Sequence, residues 1–389
     1  MDTVLDNKVK NKIRFKESSS RVFKRVSRGL KNPTFIYILK RTLSSIFTLI
    51  LLVAIVTAFL RVLPDTKFYD VKMYKTISGK SGLAVADKWR DTQLYLAGRI
   101  NLDGTKTSVL GSIFRYIYWI LPIPKATPVQ WSSGYDTIFT YHISGSYFGR
   151  AMTITNTPYI TKLFAEKMGI SFTISIITTF LAYIISVPLG VAMAKKPGGF
   201  IDKAGNVFIV LNYAIPALVF YLLMANVFGD AKGIFAWGHF GTVYSDEKWW
   251  SLVPPIACVV FLSIPGIAIW VRRFMVDELS SDYVKFARSK GLSEDRIMYT
   301  HVLRNAAVPL VRGLPGIFIG AIIGSYYIEY IWSIPGTGRL LINALQGASP
   351  DVQLVQALTV IYAALSMASF LLGDIVTIFF DPRIKLIAE

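Results

Sequence analysis

The sequence predicts an all-α polytopic membrane protein with six transmembrane helices and an enlarged segment between the first and the second. Three observations predict it. Of 389 residues, 53% are hydrophobic, and the mean hydropathy is +0.47. Four stretches, Met168–Ala194, Ala204–Gly229, Trp249–Val271 and Val352–Gly373, each exceed twenty residues without Asp, Glu, Lys or Arg, and about twenty apolar residues cross ~30 Å of hydrocarbon as a helix. Two further runs complete the set. Thr42–Leu60 is preceded by Lys40 and Arg41, and Ala306–Ile331 holds only Arg312 and Glu329 as charges.

In chain order, residues 1–35 form a basic arm with ten Lys/Arg against three acids, a composition drawn to anionic lipid. This leader is too long for a signal peptide and no small-residue cleavage site follows the apolar run, so the first helix, within 36–64, is expected to stay in the mature chain. Residues 65–167 form the enlarged segment. Its most apolar part, Val109–Ile123, is short for a crossing and carries Arg115 in its middle. It is expected as a helix packed in this segment or lying at headgroup level. Residues 168–380 carry the other five spans and a charged loop, 272–305, and 381–389 form a tail.

Lys and Arg in short loops set orientation. "KKPGGFIDK" has three Lys in nine residues, and Arg272 to Arg312 has eight Lys/Arg. The alternate loops are poor: Asp230–Lys248 has two Lys against three acids, and Ser333–Asp351 has Arg339 alone. Both termini are therefore expected in the cytoplasm and residues 65–167 outside. The single cysteine, Cys258, and three scattered histidines offer no metal cage. "SGKSG" (residues 78–82) lacks the glycine spacing of a phosphate loop, since Tyr74 stands where its first glycine belongs.

The loop 272–305 is patterned rather than merely polar. In "SSDYVKFARSKG", Ser280 or Ser281 can cap a helix, Asp282 suits its first turn, and Lys290 and Gly291 close it. "LSEDRIMYTHVLRN" then opens a second short helix, with Ser293 as N-cap and Glu294 and Asp295 in the first turn. A rigid two-helix knuckle suits docking into a groove on another protein. A structured but passive loop is the plain alternative.

These residues, "DYVKFARSKGLSEDRIMYTHVLRNAAVPL", resemble the cytoplasmic signature loop of ABC transporter permeases of the dipeptide/oligopeptide branch, B-type subunit. Ala287, Gly291 and Leu303 fall on the pattern's Ala, Gly and Leu, whereas Lys285, Phe286, His301 and Arg304 depart from it. "IEYIWSIPGTGRLLINAL", "LLGDIVTIFFDPRIKL", "ISVPLGVAMAKKPGGFIDK" and "RTLSSIFTLILLVAIVTAFLRVLP" resemble further parts of that branch. Similarity covers 36–64 and 145–389 and fails over 1–35 and most of 65–144.

The resemblance implies the ABC importer permease fold and a transport subunit rather than an enzyme, in the plasma membrane of a bacterium. It implies a heterodimer with a second permease, two ABC ATPase subunits that bind the ATP and Mg, and an extracellular substrate-binding protein. This chain then needs no cofactor, no metal and no nucleic acid, only lipid and a peptide substrate. The ATPase-coupling residues become Ala287, Lys290, Gly291, Leu292, Ser293, Glu294, Asp295 and Arg296. Along the path, Asn212, Tyr213 and Pro216 form a polar, kinked centre in the third span, and Glu329 could meet a peptide amine; ordinary helix contacts and an interfacial, paired carboxylate are the alternatives. Asp374 is expected to hold its helix end, with Arg383 as partner, in a terminal motif with Asp381 and Pro382. A nickel or other small-solute importer permease is the nearest rival; an intramembrane hydrolase would need a His within a span or a paired-ligand spacing that the sequence lacks, and a channel or ion-driven transporter would leave the knuckle unexplained.

Overall fold

The computed structural model describes residues 33–380 apart from 102, 134–135, 153–158, 230–243, 246, 325 and 347–349. The N-terminal arm and the tail bearing Asp381, Pro382 and Arg383 lie outside the described residues.

The apolar runs become the long helices α1 (Pro33–Val62), α5 (Ile160–Lys195), α8 (Val253–Leu279) and α14 (Val352–Phe380). The third run is not straight. Pro216 lacks an amide hydrogen and drives Ile215 to extended backbone, φ −89° and ψ 117°. The run therefore splits into α6 (Phe200–Ala214) and α7 (Ala217–Gly229), bent by 91°. Among the described residues five helices are long and apolar enough to cross a membrane, and this bent pair makes six.

The second knuckle helix is not short, as the sequence reading expected. The single turn α10 (Glu294–Arg296) continues through a π-helix, Ile297–Val302, into α11 (Leu303–Gly324). No Gly or Pro interrupts residues 294–308, so the rod runs from the knuckle into the fifth span without a break.

Helix α5 packs along α8. Ser171, Ser175, Thr178, Ala182, Ser186 and Gly190 are all buried on one face of α5, and small residues let helix backbones approach. At Gly190 the approach is tightest: a Cβ there would lie 2.6 Å from Val271 Cβ and 2.7 Å from the Ala268 carbonyl.

Residues 65–152 fold on the end of the bundle opposite the knuckle. Helices α2 (Val71–Ser81) and α3 (Leu83–Leu96) pair, and α4 (Val109–Ile120) lies against α1. Strands β1 (Lys125–Ser133) and β2 (Asp136–Ser144) form an antiparallel hairpin, a local addition to the otherwise helical reading. Arg99 pins this segment to the end of α1. Its guanidinium reaches Asp65 at 2.6 Å and the carbonyls of Leu60, Arg61 and Leu63, and it lies over the Phe68 ring. Val352, which opens α14, shares a buried cluster with Phe68, Tyr95 and Ile100. Helix α4 has twelve residues, too few to span, and ends a turn before Ile123. "SGKSG" occupies the last turn of α2 and its C-cap, so its backbone amides are spent within the helix.

Candidate functional site

At the knuckle, α9 (Asp282–Ser289) ends in a double hydrogen-bonded stop. Gly291 takes φ +74°, its amide donates to the Arg288 carbonyl, and the Leu292 amide donates to that of Ala287. This is the Schellman closure, which a residue at positive φ makes possible. Ser281 and Ser293 occupy the N-cap positions without side-chain cap bonds. The turn is held instead by ion pairs. Arg288 grips Glu294 through Nε at 2.8 Å and Nη2 at 3.2 Å, and Lys195 at the end of α5 pairs with Asp295. The Glu294 carboxylate raises the pKa of the Arg288 guanidinium. Burial, then the hydrogen bond to Glu278, pushes the Tyr283 phenol up to about 12.

Around this frame Lys285, Phe286, Ser289, Lys290 and Arg296 face outward. The Lys290 ammonium sits 4.4 Å from the centre of the Phe286 ring, which is 62% exposed. The inner face is the opposite. Val284, Ala287, Ile297, Met298 and Val302 are buried in one apolar cluster with Val191, Val271, Ala306 and Leu310 of the spans, and Leu292 packs against it. A second brace joins the neighbouring loop: Asp202, 3% exposed, accepts from Arg272, Asn206 and the Gly198 amide. The knuckle is thus packed on α8 and α11 through one continuous apolar core.

Above the knuckle, a groove of about 540 Å³ opens between α5, α6, α8 and α11. Tyr183, Tyr213, Ser263, Gly266, Trp270 and Pro309 are among its lining residues. Aromatic and aliphatic side chains make most of its wall.

Residues 186–386, just over half of the chain and including the whole knuckle, match the family described as "Binding-protein-dependent transport system inner membrane component". The chain belongs to this family. The dipeptide transport system permease protein DppB of Lactococcus lactis is 30% identical over 249 residues, 64% of this chain and 79% of that protein. The oligopeptide transport system permease protein AppB of Bacillus subtilis is 30% identical over 243 residues, 61% of this chain and 76% of that protein. The oligopeptide transport system permease protein AmiC of Streptococcus pneumoniae is 37% identical over 206 residues, 53% of this chain; the match spans only 40% of AmiC. Among solved structures, one of the inward-facing MetNI methionine ABC transporter aligns over 57% of this chain and 98% of its own at 16% identity, TM-score 0.47.

In this transport-system component, the eight residues expected to couple are brought together at one turn, with Ala287 buried, Leu292 half-buried, and Lys290, Gly291, Ser293, Glu294, Asp295 and Arg296 exposed. Tyr213 lines the groove and is 61% exposed, Pro216 makes the bend beside it, and Asn212 is buried, donating to the Phe261 carbonyl at 3.2 Å.

Glu329 is elsewhere. It is fully buried at the far end, in α12 (Tyr326–Ile331), and caps the next helix, α13 (Thr337–Leu345). Gly336 at the N-cap has no side chain, so the Glu329 carboxylate accepts from the amides of Gly338 at 2.7 Å and Arg339 at 3.1 Å, and from Ser171 Oγ at 2.6 Å. Negative charge at a helix N-terminus is favoured. Asp374 pairs with Arg312 at 2.9 Å and Arg41 at 3.3 Å. Sequence reasoning missed both partners: Arg312 stood out as a charge inside a span, but nothing in the pattern pointed to Asp374, sixty-two residues away.

Proposed function

We propose that this chain is one half of the passage of a bacterial ABC importer for oligopeptides or dipeptides, and that the turn Ala287–Arg296 is where separate ATPase subunits act on it. The single observation that carries this reading is the two-faced knuckle, an exposed charged and aromatic tip whose inner face is continuous with the buried core of the spans. A passive loop has no need of that continuity. ATPase closure would move the tip, and the packed rod α10–α11 would tilt the walls of the groove at Tyr213, Gly266 and Pro309 as a rigid body. The positive loops support a cytoplasmic knuckle and cytoplasmic termini. They support residues 65–167 lying outside, where we assign them to receiving a substrate-binding protein. A second, different permease completes the passage, and ATP and Mg are held by the ATPases. The names of the relatives support peptides over the nickel alternative.

The test is affinity purification of the tagged chain from its native membrane. An ATP-binding subunit and a second permease should co-purify. Phe286→Asp at the exposed tip should release the ATPase and stop uptake while the second permease stays bound. Retention of the ATPase with undiminished uptake by that variant would refute the coupling role.

A further inference from the structure

Three spans bring charge to one level. Arg41 immediately precedes the apolar run of α1, Asp374 immediately follows that of α14, and Arg312 reaches them from α11. Asp374 is 7% exposed and takes Arg312, Arg41 and, at 3.4 Å, the Tyr37 hydroxyl. The side chains of Arg41 and Arg312 are 46% and 57% exposed. Two guanidiniums share one carboxylate, so the cluster keeps one net positive charge. Each guanidinium has five donors, so both have N–H groups to spare for a second anion.

Beside this cluster an open trough of about 390 Å³ runs between α11 and α14. Gly313, Gly316 and Gly320 form its floor on one face of α11, and Phe370 stands at its side. A Cβ at any of these glycines would meet nothing within 4 Å. From Arg312 to Gly320 the rise is about 12 Å, most of the ~15 Å depth of one hydrocarbon leaflet. That length matches an extended acyl chain lying along one leaflet.

We propose that this is a binding site for an anionic phospholipid of the leaflet on the knuckle side. The headgroup phosphate bridges Arg41 and Arg312, and an acyl chain lies along the glycine floor. A basic pocket between spans at headgroup depth is the setting in which anionic headgroups are recognised, and the apolar trough leading away from the arginines fits a tail that a free phosphate lacks. The bound lipid joins α1, α11 and α14 next to Gly313, which lines both the trough and the groove.

The experiment places a photoreactive benzophenone side chain at Phe370, 59% exposed, in the full chain purified with its subunits. The complex is reconstituted in vesicles of phosphatidylglycerol and phosphatidylcholine in equal amounts, and cross-linked lipid is read by mass spectrometry. Phosphatidylglycerol should be captured about fivefold over phosphatidylcholine, the preference expected from one net positive charge at the surface. Arg41→Gln with Arg312→Gln should bring the two lipids to parity, Gly316→Leu should abolish capture of both, and Lys40→Gln should leave the preference intact. Equal capture of both lipids by the otherwise unsubstituted chain, or cross-linking to a polypeptide instead of lipid, would overturn the proposal. The subunits are those of the function proposed above, but no transport is measured, so equal capture of the two lipids would leave that function standing.

Discussion

At one end of the bundle Glu329 is fully buried, surrounded by donors from Ser171, Gly338 and Arg339. At the other, Arg288, Lys290, Glu294 and Asp295 stand in water around Gly291. Both stretches are charged, glycine-bearing links between helices, and from composition alone either could be the working site. The difference lies in where the carboxylates point. The buried one satisfies backbone amides and fixes a turn. The exposed ones pair with Arg288 and Lys195 in water and leave a tip that another protein can grip. Charge inside a membrane protein is thus a functional sign only after its hydrogen-bond partners are known.

Three substitutions would break or sharpen this contrast. Glu329→Ala has the largest effect, because it leaves buried amide and hydroxyl donors unanswered at about 1–3 kcal/mol each. A loss of about 3 kcal/mol or more should appear as a sharp drop in the melting midpoint of the detergent-solubilised protein. A small change would mean that water reaches this end and that the turn is not the scaffold described. Gly291→Ala comes next. Nothing lies within 4 Å of a Cβ at that position, so the cost is the backbone alone, about 1–2 kcal/mol for an L-residue held at positive φ. Gly291→Asn should recover part of it. Equal melting points for the alanine and asparagine variants would remove the conformational explanation. Arg288→Ala should do least to stability, since its pair with Glu294 is exposed and screened. Its shift in melting midpoint should vanish in high salt, whereas the Glu329→Ala shift should persist; a salt-independent loss at Arg288 would place that pair among the buried braces.

How much of this was legible beforehand depends on the range of each interaction. The spans follow from apolar run length, and the bend at Pro216 from a rule one residue long. The closure at Gly291 follows from a local pattern too, so the knuckle was readable, including its stop. Its second half was not. The continuity of Glu294 with the fifth span depends on the absence of a breaker, and the π-turn at Ile297–Val302 has no sequence mark in this chain. The sequence leaves Glu329 a candidate for the path because its partner Ser171 lies 158 residues away on another helix. Arg312 with Asp374, Arg272 with Asp202 and Arg99 with Asp65 share that obstacle: side-chain periodicity gives the face on which a charge lies but not what meets it. The hairpin at Lys125–Ser144 escaped because residues 65–144 fall outside the family resemblance and carry no clean alternation.

The π-turn at Ile297–Val302 is worth following to its end. A turn of that kind takes in one residue more than an α-helix allows, and each α-helical residue corresponds to about 100° of azimuth. Everything beyond Val302 is therefore rotated relative to α10 by that surplus, which is what aims Pro309 and Gly313 at the groove. Removing a single residue there would leave composition, length and hydropathy almost untouched while pointing the fifth span the wrong way.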